Sequence, residues 1–262
     1  MSAIVTNNTV TQIRNDGIVA NGCTANATGS NNSVNVTFTG SNVKYINDPN
    51  FQSTLNNNGI IITGASGETD LTSFCSGNVI TFVVSENSVA NFKTNNITVS
   101  GGDDGTDSNT VQGSVLANHV SGGGGRGIQV SGGSGDNHSV TVLISDNISN
   151  GNGAEGIRAT SGSGINNIVS LTGIINNTAS RNAGDGIGIR SDIPGISGGT
   201  PFSGNRTDRN GEDGIDINST GYILSNNRTS RNTVDGINAV GNVNGGGNVA
   251  TGNASCNTPG CF

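Results

Sequence analysis

The phrase Asn205-Arg206-Thr207-Asp208-Arg209-Asn210-Gly211-Glu212-Asp213-Gly214-Ile215 returns 22 residues later as Asn227-Arg228-Thr229-Ser230-Arg231-Asn232-Thr233-Val234-Asp235-Gly236-Ile237. A period this short is less than a helical-hairpin repeat needs and matches one coil of a β-solenoid. The same spacing reaches back along the chain. Nine residues before Gly17, Gly59, Asn96, Gly127, Gly156, Gly186, Gly214 and Gly236 stand Asn8, Asn50, Asn87, Asn118, Asn147, Asn177, Asn205 and Asn227. Every one of these anchors precedes an isoleucine. A further unit opens at Asn248, with Asn253 at the five-residue gap that also separates Asn177 from Asn182 and Asn205 from Asn210.

Asparagine and glycine at fixed places have a physical use. Glycine before isoleucine supplies a tight bend into a strand, which a Cβ opposes where φ is positive. Asparagine tolerates the left-handed region, and its side-chain amide can donate to one neighbouring coil while accepting from the other. The spacing therefore predicts a stacked ladder at Asn118, Asn147, Asn177, Asn205 and Asn227. Strand alternation turns Ile128, Ile157, Ile187, Ile215 and Ile237 inward, together with Val130, Ala159, Ile189, Ile217 and Ala239 two residues on.

Composition agrees with repetition in place of bulk. With 43 Gly, no Trp and 3% aromatic residues in 262, the chain cannot fill one large central core, whereas a solenoid needs only small aliphatics in a thin continuous one. A net charge of −7 argues against a nucleic-acid or anionic-membrane partner. No apolar run approaches the roughly 18 residues of a membrane span, and the first residues lack the basic and apolar regions of a signal peptide. Four cysteines remain. Cys256 and Cys261 enclose the Pro259-Gly260 turn and are expected to pair, leaving Cys23 with Cys75 to tie the N-terminal coils. Zinc is disfavoured, because there is no CxxC pair and His119 and His138 lie far from the cysteines. Disulfides point to an extracellular setting.

Residues 111–255 hold the regular coils, 1–110 longer and irregular ones, and 256–262 a short tail; with no interdomain linker, 1–262 reads as one domain. Anchor spacings of 42 and 37 residues near the N-terminus shorten to between 31 and 22 beyond it. Residues 33–39 and 79–85 alternate as strands do, and 41–58 reads as a protruding loop. The phrase Asn-x-x-x-x-Asn-x-x-Asp-Gly-Ile-x-Ile resembles the repeats of right-handed parallel β-helix proteins, a group of secreted bacterial carbohydrate-active and surface proteins. The resemblance implies an all-β, single-domain right-handed parallel β-helix of about nine coils. Its members include lyases, epimerases, glycosidases, adhesins and structural proteins, so the fold does not settle the function.

Candidate chemistry lies on the outward positions of the Gly-Ile strands. Arg158, Arg190 and Asp216 fall on one face, where a lyase would use an arginine as base and a glycosidase a pair of carboxylates. The plainer reading is a solvated face of mixed charge. Asp185, Asp213 and Asp235 precede their glycines as turn residues, with Glu155 and Asp16 in the same place, and Arg181, Arg209 and Arg231 stand four residues earlier as a column expected to pair with them. Asp103, Asp104 and Asp107 cluster oxygens suited to calcium, without the spacing of an EF-hand; no other cofactor is implied. His119 and His138 read as surface residues. Sugar-binding clefts usually offer aromatic platforms, and here only Tyr45 and Tyr222 join seven phenylalanines.

The leading expectation is a noncatalytic extracellular structural or adhesive protein, contacting polysaccharide or a cell surface. With no amphipathic capping helix in the sequence, the terminal coils are expected to self-associate head to tail into a filament. The alternatives are a lyase, epimerase or glycosidase acting on acidic polysaccharide through Arg158, Arg190 and Asp216, or a fragment of a larger adhesin or phage-type fibre.

Overall fold

The computed structural model describes residues 1–11, 16–23, 31–44, 58–65, 75–103, 106–190 and 192–255. Among them there is no helix. Three long sheets, every pairing parallel, share the chain in rotation. Sheet one stacks nine strands from Ser2–Thr6 to Val243–Gly246, sheet two nine short ones from Thr9–Thr11 to Val249–Thr251, and sheet three eight from Ile18–Asn21 to Ile237–Asn238. Successive coils contribute one strand to each sheet in that order, the last described stretch reaching sheets one and two only, and the crossovers take the right-handed sense that parallel connections adopt. The same sheets pass through the irregular and the regular parts, so both belong to one right-handed parallel β-helix. A two-stranded ribbon, Cys75–Ser76 with Thr106–Asp107, sits beside them.

The core is a set of stacked columns. In sheet three Ile60, Ile97, Ile128, Ile157, Ile187, Ile215 and Ile237 lie in register and are all but fully buried, each worth about 1.5–3 kcal/mol of burial. The second predicted column, from Val130 to Ala239, is buried as well. Sheet one supplies Phe38, Val84, Val115, Ile144, Ile174, Phe202 and Leu224 in register. Bulk in one coil is matched by absence in the next: a Cβ on Gly113 would lie 2.7 Å from the Phe82 ring.

Three ladders of side-chain amides line the corners. In the first, Asn147 donates its backbone N–H (3.0 Å) and its Nδ2 (3.0 Å) to Oδ1 of Asn177. Asn87, Asn118, Asn177, Asn205 and Asn227 repeat the pattern, ending on Asn248. Ser41 holds the place between Asn8 and Asn87, donating its N–H to Asn87 Oδ1 at 2.9 Å. The expected Asn50 lies outside the described residues. The loop expected over 41–58 instead begins with ladder residue Ser41 and the strand Asn42–Lys44. That coil is long after its second strand, so counting nine residues back from Gly59 stops short of the corner.

The second ladder runs through Asn152, Asn182, Asn210, Asn232 and Asn253. At its N-terminal end Gly123 stands where the later coils have asparagine, and Asn96 sends Nδ2 into that space, 2.9 Å from Asn152 Oδ1. The third ladder, which sequence reading missed, is Asn32, Asn78, Asn109, His138 and Asn167.

Two expectations about backbone are corrected. The left-handed residue is the one before the ladder amide, as at Ala117, Asp146, Asn176, Arg181 and Arg209, with φ between 52° and 58°. The glycine before isoleucine does not have positive φ; it is needed because neighbouring backbone comes close, and a Cβ on Gly214 would lie 2.5 Å from the carbonyl oxygen of Gly236. Cys23 and Cys75 form the expected disulfide, with Cα atoms 5.8 Å apart; Cys256 and Cys261 lie outside the described residues.

Replacing Asn177 with alanine leaves the backbone N–H of Asn147 buried without an acceptor, while its Nδ2 keeps the carbonyls of Val115 and Ser145, and should cost about 1–3 kcal/mol in urea unfolding. Ile215→Asp places an unpaired carboxylate in the core column and should abolish the folded circular dichroism signal; a folded Ile215→Asp protein would refute the inward assignment.

Candidate functional site

The residue before each Gly-Ile strand is normally spent on holding the next coil. Asp16 Oδ1 accepts the N–H of Asn58 at 2.7 Å, Asn58 Oδ1 that of Asn95 at 3.1 Å, and Asn95 Oδ1 that of Arg126 at 2.9 Å. The column resumes further along, with Asp185 accepting from Asp213 and Asp213 from Asp235. Between these runs stand Arg126 and Glu155, and the repeat is interrupted there.

Glu155 was expected to serve the turn; instead both its carboxylate oxygens bind arginines. Arg126 Nε donates at 2.9 Å, Arg158 Nη1 at 2.6 Å and Arg190 Nη2 at 2.9 Å. Arg190 also reaches Asp216 at 3.6 Å. The structure thus brings Arg158, Arg190 and Asp216 onto one face, as their register implies, and adds Arg126 and Glu155, which alternation alone did not single out. The missed signal was charge: no other coil has arginine in the place of Arg126. Burial opposes ionisation of Glu155, but its own amide and the guanidinium groups of Arg126 and Arg158 prevail and hold it below the usual carboxylate range. Three guanidinium groups therefore converge on one carboxylate, and the Nε atoms of Arg158 and Arg190 are buried without a hydrogen-bond partner.

Arg126 and Arg158 close one end of a groove of about 850 Å³ along the outside of sheet three. Its floor is the register Val19, Ile61, Thr98, Gln129 and Arg158, one residue from each of the first five coils. Asn21, Thr63, Ser100, Ser131 and Thr160 form a parallel row of amide and hydroxyl groups. Asp16 and Asp103 also line it.

Beyond Arg158 the floor row continues with Gly188 and Asp216. A Cβ on Gly188 would sit 3.2 Å from Asp185 Oδ2, so the missing side chain leaves space over that carboxyl. Burial, opposed by the Asp213 amide and reinforced by the carboxylates of Asp216 and Asp213, pushes Asp185 up to about 7. Asp216 is raised by burial, with Arg190 opposing.

Other predicted residues fall elsewhere. Arg209 and Arg231 pair with Asp208, at 3.0 and 2.8 Å, in place of the acid column, because that side chain projects from sheet two beside them. His119 is exposed on sheet two, as expected, but His138 is buried, contrary to its surface reading. Its Nδ1 accepts the Asn109 N–H at 3.1 Å and its Nε2 lies 3.2 Å from Thr106 Oγ1. Asp107 accepts from Asn137 and Ser108, Asp103 lines the groove, and Asp104 lies outside the described residues. Tyr222 is buried, its hydroxyl donating to the Ile193 carbonyl at 2.8 Å, and cannot serve as a sugar platform; Tyr45 lies outside the described residues. No helix of the described residues is long and apolar enough to cross a membrane.

No family model and no curated protein matches the chain. Among solved structures it is similar to the Dettilon tailspike protein gp208, at 16% identity and a TM-score of 0.46. That alignment covers 98% of this chain and 61% of the tailspike, so the chain spans less than two thirds of its length. It is also similar to the A-module of the Azotobacter vinelandii mannuronan C-5 epimerase AlgE6, at 10% identity and a TM-score of 0.22, over 97% of this chain and 91% of that one. The stacked sheets decide the assignment. This chain is a parallel β-helix repeat protein.

Two titrations of the β-helix follow. Burial, opposed by Asp107 and Asp136, pushes His138 below the ordinary histidine value. The unfolded chain takes up that proton as pH falls below about 6.5 while the folded ring resists, so this contribution is full above that pH and is lost below it. His138→Asn restores the usual ladder residue and should flatten the acid-side fall in melting temperature. Asp185 acts in the opposite direction. Between about 4 and 7 the folded state keeps a proton that the unfolded chain has released, so stability declines as pH rises through that window. Asp185→Asn, which keeps the acceptor for Asp213, should raise the melting temperature at pH 8 and leave it unchanged at pH 3.5.

Proposed function

We propose that this chain is an extracellular adhesive β-solenoid that holds a linear glycan in the groove outside sheet three without cleaving it. The observation that carries this reading is the interruption of the turn column at Arg126 and Glu155, which leaves an excess of guanidinium charge at the end of a long polar groove. Coils repeat every ~4.8 Å, so five of them present hydroxyl and amide groups at near-regular intervals over roughly 19 Å. Such a surface suits an extended polar polymer better than a compact small molecule. The disulfide between Cys23 and Cys75 supports an extracellular setting. Head-to-tail stacking belongs to the same reading: among the described residues the edge strands Ser2–Thr6 and Val243–Gly246 each pair on one side. Negative-stain electron microscopy distinguishes fibres from discrete rods.

Cleavage or epimerisation of an acidic polysaccharide is the second reading, and Asp185 favours it, as a carboxyl that retains its proton near neutrality beside Asp216. Against it, Arg158 and Arg190 already bind Glu155, which keeps both from acting as a base. In the adhesive reading, Arg158→Ala weakens retention on an immobilised uronate-containing glycan by about tenfold, and prolonged incubation with wild type yields no new reducing ends or unsaturated products. Product formation that disappears in Asp185→Asn or Asp216→Asn would replace the adhesive reading with the enzymatic one.

A further inference from the structure

The groove is charged unevenly, and the unevenness selects among acidic glycans. Its cationic side chains, Arg126 and Arg158, come from the fourth and fifth coils. The first two coils give the floor Val19, half exposed at 50%, and Ile61. Asp16 lies beside them, and Asp103 follows the third strand of sheet three on the opposite wall. The floor thus changes along the axis from apolar, to the neutral polar Thr98 and Gln129, to cationic.

We infer that the groove takes a sparsely charged glycan, one acidic sugar among neutral neighbours, and discriminates against a polyuronate. This rests on the glycan-binding reading above. A polyuronate laid along the coils brings a carboxylate to every position, including those facing Asp16 and Asp103. Three coil spacings separate Asp16 from Arg126, roughly 14 Å, which exceeds the ~8 Å Debye length at physiological ionic strength. The arginines therefore cannot cancel the repulsion from Asp16 at the far end. A neutral pyranose there meets Val19 and Ile61 with its C–H face and the row Asn21 and Thr63 with its hydroxyls. At the other end Arg126 and Arg158, only partly neutralised by Glu155, receive a single carboxylate.

The test is calorimetric titration of the full chain with three tetrasaccharides: a deacylated gellan repeat, in which one sugar is a uronate; tetragalacturonate; and neutral cellotetraose. The gellan repeat should bind at least about tenfold more tightly than either of the others. Arg158→Ala should reduce gellan affinity to that of cellotetraose. The double variant Asp16→Asn, Asp103→Asn should improve tetragalacturonate binding severalfold and so narrow the ratio between the gellan repeat and tetragalacturonate. The column already uses asparagine at the place of Asp16, in Asn58 and Asn95, so that replacement keeps its acceptor. Tetragalacturonate binding as tightly as the gellan repeat, or a ratio that the double variant does not move, would overturn the charge-spacing inference while leaving the groove reading intact. Binding of none of the three would overturn both.

Discussion

At most corners of the solenoid, one asparagine Oδ1 accepts two hydrogen bonds from the coil before it, a backbone amide and a side-chain amide. The donor side chain meanwhile bonds to a carbonyl one coil further back, as Asn118 Nδ2 does to Val84 O at 2.9 Å. Buried amide groups left unpaired cost about 1–3 kcal/mol each, and a thin core of small aliphatics has little surplus to absorb that. What the corner demands is an acceptor at a fixed height and a left-handed residue just before it. Asparagine satisfies the first most often, but Ser41 Oγ and His138 Nδ1 serve as well. This is why the ladders persist through coils whose sequences look irregular.

The chain reports its fold openly because identical packing problems recur every coil and receive identical residues. The isoleucine column and the first ladder from Asn87 onward could be read from spacing alone. The third ladder could not: its residues sit in loops of unequal length, and one of them is a histidine whose burial nothing nearby announces. The coil containing Ser41 was misread for a similar reason, since an insertion after a corner shifts any count taken from the following strand. The conformational role of glycine was also misplaced. Close approach and positive φ both favour glycine, and sequence does not say which operates.

The candidate site was half legible, and for a reason that belongs to repeats in general. Arg158, Arg190 and Asp216 could be placed on one face by register. Glu155 was hidden because it occupies a position that elsewhere holds turn acids, and only geometry shows that it has left that duty to gather three arginines. In a chain where most polar residues hold neighbouring coils together, chemistry collects where that service lapses. Over sheet three the lapse falls at the end of the groove, and the two features together define a surface distinct from the rest of the solenoid.

Asn96 spans two coil boundaries to reach Asn152, filling the space left by Gly123, and this divides the solenoid into parts with different freedom to change length. Beyond Asn152 the first two ladders present the same asparagine acceptor in every coil, so inserting or deleting one whole coil there joins like to like at those two corners, as the near-copies at 205–215 and 227–237 illustrate. Between Asn96 and Asn152 the intervening coil supplies the space over Gly123 that the Asn96 side chain occupies. That stretch lies beneath the cationic end of the groove. The rod can therefore change length on its distal side without disturbing that bond, whereas the bond from Asn96 to Asn152 fixes how many coils lie beneath the cationic end of the groove.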